Sequence, residues 1–205
     1  MKYILASKSP RRKQLMRFIS SDFEIATEDI DESSSYVLSP IEAVKDIARR
    51  KGEAVDQFYP NDLIISADTI VVLDNEIIGK PKDEEDAKIM LRKLSGRTHY
   101  VYTGFRIKYI DKEIVDYVES QVQFNNYDDT VIDSYISTHT VLDKAGAYGI
   151  QDNGGFPLVF NVVGSIDNVI GFPVKEIKEA IKKVINWLLL FFMIEDEQEY
   201  NTSHN

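Results

Sequence analysis

Apolar and polar positions along the chain fall into blocks that switch between strand-like and helix-like spacing. Lys2–Ala6 reads as a short buried strand, and the polar Ser7–Ser9 as a turn. Pro10 fits a first helical position with Ser9 as N-cap, and Leu15, Phe18 and Ile19 give that helix an apolar side. Phe23–Thr27 alternates as a strand does, while the polar, acidic Glu28–Ser39 reads as a loop. Ser39-Pro40-Ile41-Glu42 is a helix start with capping-box spacing. That helix should run to about Phe58, with Gly52 weakening its middle. Leu63–Leu73 is the strongest strand pattern, and Asp74-Asn75 turns it back into Glu76–Ile78. Asp83 caps a helix with Ala87, Met90, Leu91 and Leu94 on one face and Gly96 at its end. His99–Ile110 and Glu113–Phe124 predict a long hairpin around Asp111-Lys112. A short helix over Asp129–Ser137, a Gly-rich polar loop over Val141–Phe156 and a strand over Leu158–Val163 follow. Pro173–Ile194 predicts the last helix, and Glu195–Asn205 reads as an acidic, disordered tail. Strands and helices alternate around a central hairpin, which predicts an α/β fold with a mixed sheet. No internal repeat or Pro/Ser-rich linker divides the chain, so residues 1–194 read as one domain.

Composition narrows the chemistry. The 205 residues suffice for one sizeable core or for two lobes sharing one sheet. The absence of Cys removes disulfides, thiol nucleophiles, thiolate zinc sites and iron–sulfur clusters together. Three His leave little material for a His-rich metal site. Acids outnumber bases 34 to 24, for a formal charge of -10, which disfavours sequence-independent binding to a nucleic-acid polymer. Residues 1–21 run against this balance, with Lys2, Lys8, Arg11, Arg12, Lys13 and Arg17 and no acid, as a local anion site would require. Tyr3–Ala6 is too short for a secretory h-region and leads directly to Arg11-Arg12-Lys13. The apolar run Trp187–Ile194 has eight residues against the roughly 20 that a membrane span needs. It reads as the buried end of the last helix, or as an interface with a partner such as a second copy in a homodimer, or with a membrane surface. A cytoplasmic protein without a membrane span is expected.

Four stretches combine residue types that suit chemistry. Ser7-Lys8-Ser9-Pro10-Arg11-Arg12 joins a strand to a helix N-terminus, where cationic side chains are unfavourable unless an anion docks. Hydroxyls, free amides and Arg forks suit phosphate oxygens, although a solvated basic turn would also satisfy the pattern. No Walker A motif exists, because Gly79-Lys80 is followed by Pro81. Asp68 lies within the apolar strand, on one face with Ile64, Ser66, Ile70 and Val72. A carboxylate there must be paired or must bind a cation or proton in a cleft. Lys51 continues the stripe Val44, Ile47, Ala48 toward Val55, so it either snorkels or reaches into a cleft. Lys80, framed by Gly79 and Pro81, is either a cleft cation or a solvated loop residue. In Asp143-Lys144-Ala145-Gly146-Ala147-Tyr148-Gly149-Ile150-Gln151 the glycines allow close approach to a ligand and Gln151 offers both donor and acceptor. A tight turn around a core Tyr is the alternative. Asp29, Asp31 and Glu32 read as part of a solvated loop. Together these residue types make a nucleotide-hydrolysing constellation: Lys and Arg for phosphate, hard oxygens for magnesium and a carboxylate base for water.

At these residues the sequence resembles the Maf family of nucleoside triphosphate pyrophosphatases. The resemblance rests on Ile4–Arg12, Ala67-Asp68-Thr69, Gly79-Lys80-Pro81, Leu91–His99, Asp143–Gln151 and Asn168–Pro173, in family order and spanning about residues 2–180. It implies an α/β fold of the Maf/inosine-triphosphatase kind, with an elongated mixed sheet and a deep cleft between two lobes. It implies a divalent cation, Mg2+ or Mn2+. It implies cleavage of a nucleoside triphosphate to the monophosphate and pyrophosphate, as in nucleotide-pool sanitation. Asp68 matches the family's proton acceptor, and Ser7, Arg11, Arg12, Glu32, Lys51 and Lys80 match its phosphate and metal side. Ser9 belongs to the same substrate-binding segment, and Glu32 with Asp68 would serve the metal. Arg12, Thr69 and Gln151 match the specificity positions of the branch acting on dTTP and UTP, with modified pyrimidine nucleotides as an extension. Gly52 stands where the family usually has Ala, which would loosen the helix carrying Lys51. Two alternatives remain: a nucleotide-binding regulator of septum formation without turnover, and the same hydrolase with another base preference.

Overall fold

The structure, a computed structural model, describes residues 1–138 and 140–187. Its strands are β1 (Tyr3–Leu5), β2 (Glu24–Ile25), β3 (Leu63–Leu73), β4 (Glu76–Ile78), β5 (Thr98–Tyr109), β6 (Lys112–Phe124) and β7 (Val159–Val163). Its helices are α1 (Pro10–Met16), α2 (Pro40–Asp56), α3 (Glu84–Leu94), α4 (Asp129–Thr138), α5 (Ile166–Ile170) and α6, described over residues 174–187. The expected end of the last helix and the acidic tail fall outside the described residues. Among the described residues no helix is long and apolar enough to cross a membrane.

The strands form one seven-stranded sheet in the order β2-β1-β3-β5-β6-β7, with β4 added to β3. β1 runs parallel to β2 and β3, while β3–β4, β3–β5, β5–β6 and β6–β7 are antiparallel, so the sheet is mixed as the pattern predicts. β2 is shorter than the predicted Phe23–Thr27, because it meets only Ile4 and Leu5 of a three-residue partner.

Two large hydrophobic clusters share this sheet. One gathers Leu5, Met16, Ala67, Phe105, Ile107, Phe172 and Ile177, and the other Val71, Leu91, Leu94, Val101, Val122 and Tyr148. β3 enters the first through Ala67 and the second through Val71, and β5 does so through Phe105 and Val101. The polar residues Thr69 and Thr103, paired across β3 and β5, lie between these anchoring points. Thr69 therefore sits where neither core covers the sheet.

Helix α2 lies on the opposite sheet face, among Ile64, Ser66, Ile70 and Val72. Ser66 Oγ donates to the Ala48 carbonyl at 2.6 Å. Gly104 permits this contact, since a Cβ there would stand 2.4 Å from the Val44 carbonyl oxygen. The expectation that Gly52 loosens α2 is corrected: the helix is continuous from Pro40 to Asp56. A Cβ at Gly52 would lie 2.6 Å from Arg106 Nη1 and 2.7 Å from Ser66 Oγ, so the glycine makes room for a buried arginine. That guanidinium is 2% exposed and pairs with both oxygens of Asp56 at 2.8 Å and with Glu113 at 2.6 Å.

Candidate active site

Six segments bring their polar residues to one cleft: the β1–α1 turn, the loop before α2, α2 itself, the middle of β3, the segment between β4 and α3, and the Gly-rich loop after α4. Ser9 caps α1 by accepting the Arg12 backbone N–H at 3.4 Å, as the Ser-Pro pattern predicts. Ser7 is 6% exposed, and its Oγ accepts from the Ser9 N–H at 3.2 Å and from Arg12 Nη1 at 3.4 Å. Its own proton is left to donate into the cleft.

Lys51 extends from α2 between two carboxylates. Its ammonium lies 2.7 Å from Asp68 Oδ1 and 2.8 Å from Glu32 Oε1. Of the two readings the sequence allows for Lys51, the structure has the cleft. Glu32, which its loop pattern marks as solvated, instead faces this ammonium. Burial pushes the Glu32 carboxyl up, but hydrogen bonding and charge from Lys51, with Lys80 and Arg12 behind, hold it below the ordinary value. Asp68 is 7% exposed and lies 4.0 Å from Arg12 Nη2. Burial lowers the Arg12 guanidinium from its usual value, with Asp68 opposing that shift and Arg11 adding to it.

The two arginines at the start of α1 already have partners. Arg11 Nη1 donates to Asp143 Oδ2 at 2.7 Å and Nη2 to the Asp143 carbonyl at 3.2 Å, tying α1 to the Gly-rich loop. Arg12 Nε donates to the Gly171 carbonyl at 2.9 Å and Nη2 to Thr69 Oγ1 at 3.1 Å. Their charge at a helix start is thus partly answered within the protein, by the Asp143 carboxylate, two backbone carbonyls and the hydroxyls of Thr69 and Ser7.

The Gly-rich loop is built as a wall. Gly146 adopts φ +70°, where a Cβ would be strained, and its N–H donates to the Gly79 carbonyl at 3.0 Å, which fixes the segment carrying Lys80. Tyr148 packs against Phe124 and its phenol meets His99 Nε2 at 2.8 Å. Both readings of this stretch therefore hold, a turn around a core Tyr that also lines the cleft.

Ser9, Arg11, Arg12, Lys51, Asp68, Thr69, Lys80 and Gln151 line the inner part of the cleft. Ser7 and Glu32 join Ser9, Arg11, Arg12, Lys51 and Lys80 around the adjoining outer part. All ten residues singled out from the sequence are thus brought together. Sequence reasoning missed Asp143 as the partner of Arg11, and it missed Tyr36. The Tyr36 phenol, on a residue 44% exposed, is pushed up to about 12 by partial burial and by the charges of Asp68 and Glu32. Its one sequence signal is a position four residues after Glu32, inside an unpatterned loop.

Among the described residues no group of three or more His, Asp or Glu side chains could hold a metal ion. Glu32 and Asp68, which share one cation in Lys51, fit a smaller requirement. Magnesium takes one or two carboxylates and completes its shell with water and substrate phosphate oxygens.

The family model for Maf-like proteins matches residues 2–184. The chain belongs to the Maf-like protein family. A Maf relative from Pyrococcus abyssi, a dTTP/UTP pyrophosphatase, is 44% identical over 182 residues, covering 87% of this chain and 94% of that protein. One from Clostridioides difficile, also a dTTP/UTP pyrophosphatase, is 40% identical over 193 residues, covering 93% and 99%. A solved structure, that of the Staphylococcus aureus Ham1 protein, aligns more loosely, at 17% identity and a TM-score of 0.49, covering 95% of this Maf chain and 100% of that one.

Proposed function

We propose that this protein hydrolyses dTTP and UTP to the monophosphate and pyrophosphate. The observation that carries the reading is Lys51 held between Asp68 and Glu32, in a cleft walled by Arg11, Arg12 and Lys80. Maf relatives at 40–44% identity that bear this activity in their names support the choice of substrate.

Ser7, Ser9, Arg11, Lys51 and Lys80 bind the triphosphate, and Arg12, Thr69 and Gln151 bind the base. Arg11 exchanges Asp143 for a phosphate oxygen when the nucleotide enters. Asp68 takes the proton of a water that attacks the α-phosphorus, and the bond to the bridging oxygen breaks to release pyrophosphate. Lys51 ties the Asp68 and Glu32 carboxylates together at the reacting centre. Arg11, Lys51 and Lys80 neutralise the charge that spreads over the phosphate oxygens, the dominant demand in phosphoryl transfer. A divalent cation held by Glu32 and Asp68 would add charge neutralisation at the phosphates.

A pyrophosphate-release assay across the common nucleoside triphosphates, with Mg2+ or Mn2+ present, tests the proposal. Release should be fastest with dTTP and UTP, and Asp68→Asn should lower the rate about 10²-fold or more. No release from any nucleotide would favour a binding-only regulator. Normal turnover by the Asp68→Asn variant would remove Asp68 from its role.

A further inference from the structure

The wall beside Asp68 holds a chain of hydroxyls whose direction is set by its two ends. At one end Arg12 Nη2 lies 3.1 Å from Thr69 Oγ1, and a guanidinium can only donate. At the other end Thr103 Oγ1 lies 2.9 Å from the Asn168 carbonyl oxygen, which can only accept. Between them the Thr69 and Thr103 oxygens are 3.0 Å apart. The single proton of Thr103 is committed to Asn168, so Thr69 must donate to Thr103. Thr69 Oγ1 also accepts from Arg12. What it can still offer the cleft is an acceptor.

We propose that Thr103 is a positioning residue for base selection, which turns Thr69 into an acceptor-only hydroxyl and makes the pocket take a base edge with N–H beside C=O. Uracil and thymine present that edge at N3 and its neighbouring carbonyl. Cytosine held in the same register presents a bare N3, which places one acceptor against another. The inference rests on the nucleotide-binding reading above and adds the physical cause of the base preference.

The surroundings keep this polarity fixed. Thr103 is 0% exposed and so cannot touch the nucleotide itself, while Thr69, directly opposite it in the sheet, lines the cleft. The Asn168 amide nitrogen donates to the Val101 carbonyl at 3.0 Å and to Ser120 Oγ at 2.9 Å, which anchors the residue whose carbonyl ends the chain. Arg12 is pinned through Nε to the Gly171 carbonyl, so its donor stays beside Thr69. A Cβ on Gly171 would stand 2.8 Å from Thr69 Oγ1, and its absence leaves the hydroxyl approachable. An Arg donor next to a Thr acceptor is complementary to C=O beside N–H.

The test compares kcat/KM for dTTP and dCTP in the natural protein, in Thr103→Val and in Thr103→Ser. The valine has the shape but no hydroxyl, which frees the Thr69 proton to point at a cytosine N3. The dTTP:dCTP ratio should fall about tenfold or more in Thr103→Val and be kept in Thr103→Ser. An unchanged ratio in a folded Thr103→Val protein would overturn the inference. Should the valine variant not fold, 3-methyl-dTTP decides with the natural protein. Its methyl group replaces the N3 proton, so turnover should be lost, and turnover equal to that of dTTP overturns the inference. Calorimetric binding of dTMP, dCMP and 3-methyl-dTMP separates this result from the hydrolase reading. Preferential dTMP binding without pyrophosphate release would keep the base-reading assignment and remove the hydrolase, and equal binding of all three would remove the assignment.

Discussion

Lys51 and His99 show how single side chains are set by what surrounds them. The Lys51 ammonium lies within 2.8 Å of two carboxylates and ties them together beside the proposed phosphate site, and its hydrogen bond and charge oppose the upward push of burial on Glu32. His99 is 0% exposed and has no acid near it, so burial alone lowers its pKa from 6.5 to about 4. The consequence for stability has a definite sign. Between about pH 6.5 and 4 the unfolded chain binds a proton at His99 that the folded chain does not, so this residue's share of stability falls as pH falls through that window. The 6.5-to-4 difference corresponds to about 3 kcal/mol. Urea melts of the natural protein and of His99→Gln should therefore differ in their pH dependence over that window, the natural protein losing more on acidification. Parallel curves would mean that His99 titrates normally. At this scale the sequence was legible for Asp68, whose place amid an apolar strand demanded a partner. Glu32 was legible only through the family resemblance, and the pairing of Asp143 with Arg11 was not legible, because their partners lie 19 and 132 residues away and no local period points at them.

Helix α2 shows how an element carries a residue to its site. Its amphipathic stripe and capping box are local properties, and the sequence placed the helix to within two residues at its end. How deeply it sits on the sheet depends on glycines. Gly104 lets the Val44 backbone approach β5, and Gly52 admits Arg106 with its paired carboxylates Asp56 and Glu113. Gly104→Ala should lift the helix, since a Cβ 2.4 Å from a backbone oxygen cannot be relieved by a side-chain rotation. The expected loss is about 1–3 kcal/mol in chemical denaturation. Pyrophosphate release should also drop roughly 10- to 100-fold as Lys51 shifts against Asp68. Gly155→Ala, where a Cβ meets open space, is the control and should leave both unchanged.

Across the whole molecule, two hydrophobic clusters share one sheet and leave a polar strip between them. Thr69 occupies that strip, Asp68 projects from the other face of β3 toward Lys51 of α2, and Arg11 joins the β1–α1 side of the cleft to Asp143 on the Gly-rich loop. A ligand spanning the strip contacts both cores and should stabilise the fold as a unit. At a concentration of 100 times its dissociation constant, dTMP should add about 2.7 kcal/mol and raise Tm by about 5–10 °C. No shift with any nucleotide in a thermal melt would count against a shared cleft. The net charge of -10 is compatible with such a site, because Arg11, Arg12, Lys51 and Lys80 concentrate positive charge within one cleft of an acidic surface.

What the sequence by itself determined is what short-range physics can carry. Periodicity marked the strands and helices, Ser-Pro pairs marked the starts of α1 and α2, and the absence of Cys closed off thiol chemistry. The motif residues converged on a nucleotide site. Only the tertiary structure decided which of two readings applied to Lys51, and that Gly52 is a contact rather than a weak point. It alone joined Arg11 to Asp143 and aligned Thr69 with Thr103. The reason is physical: hydrogen bonds and ion pairs between distant segments depend on strand register and helix depth. Both are set by the packing of the two cores and leave no repeat in the chain.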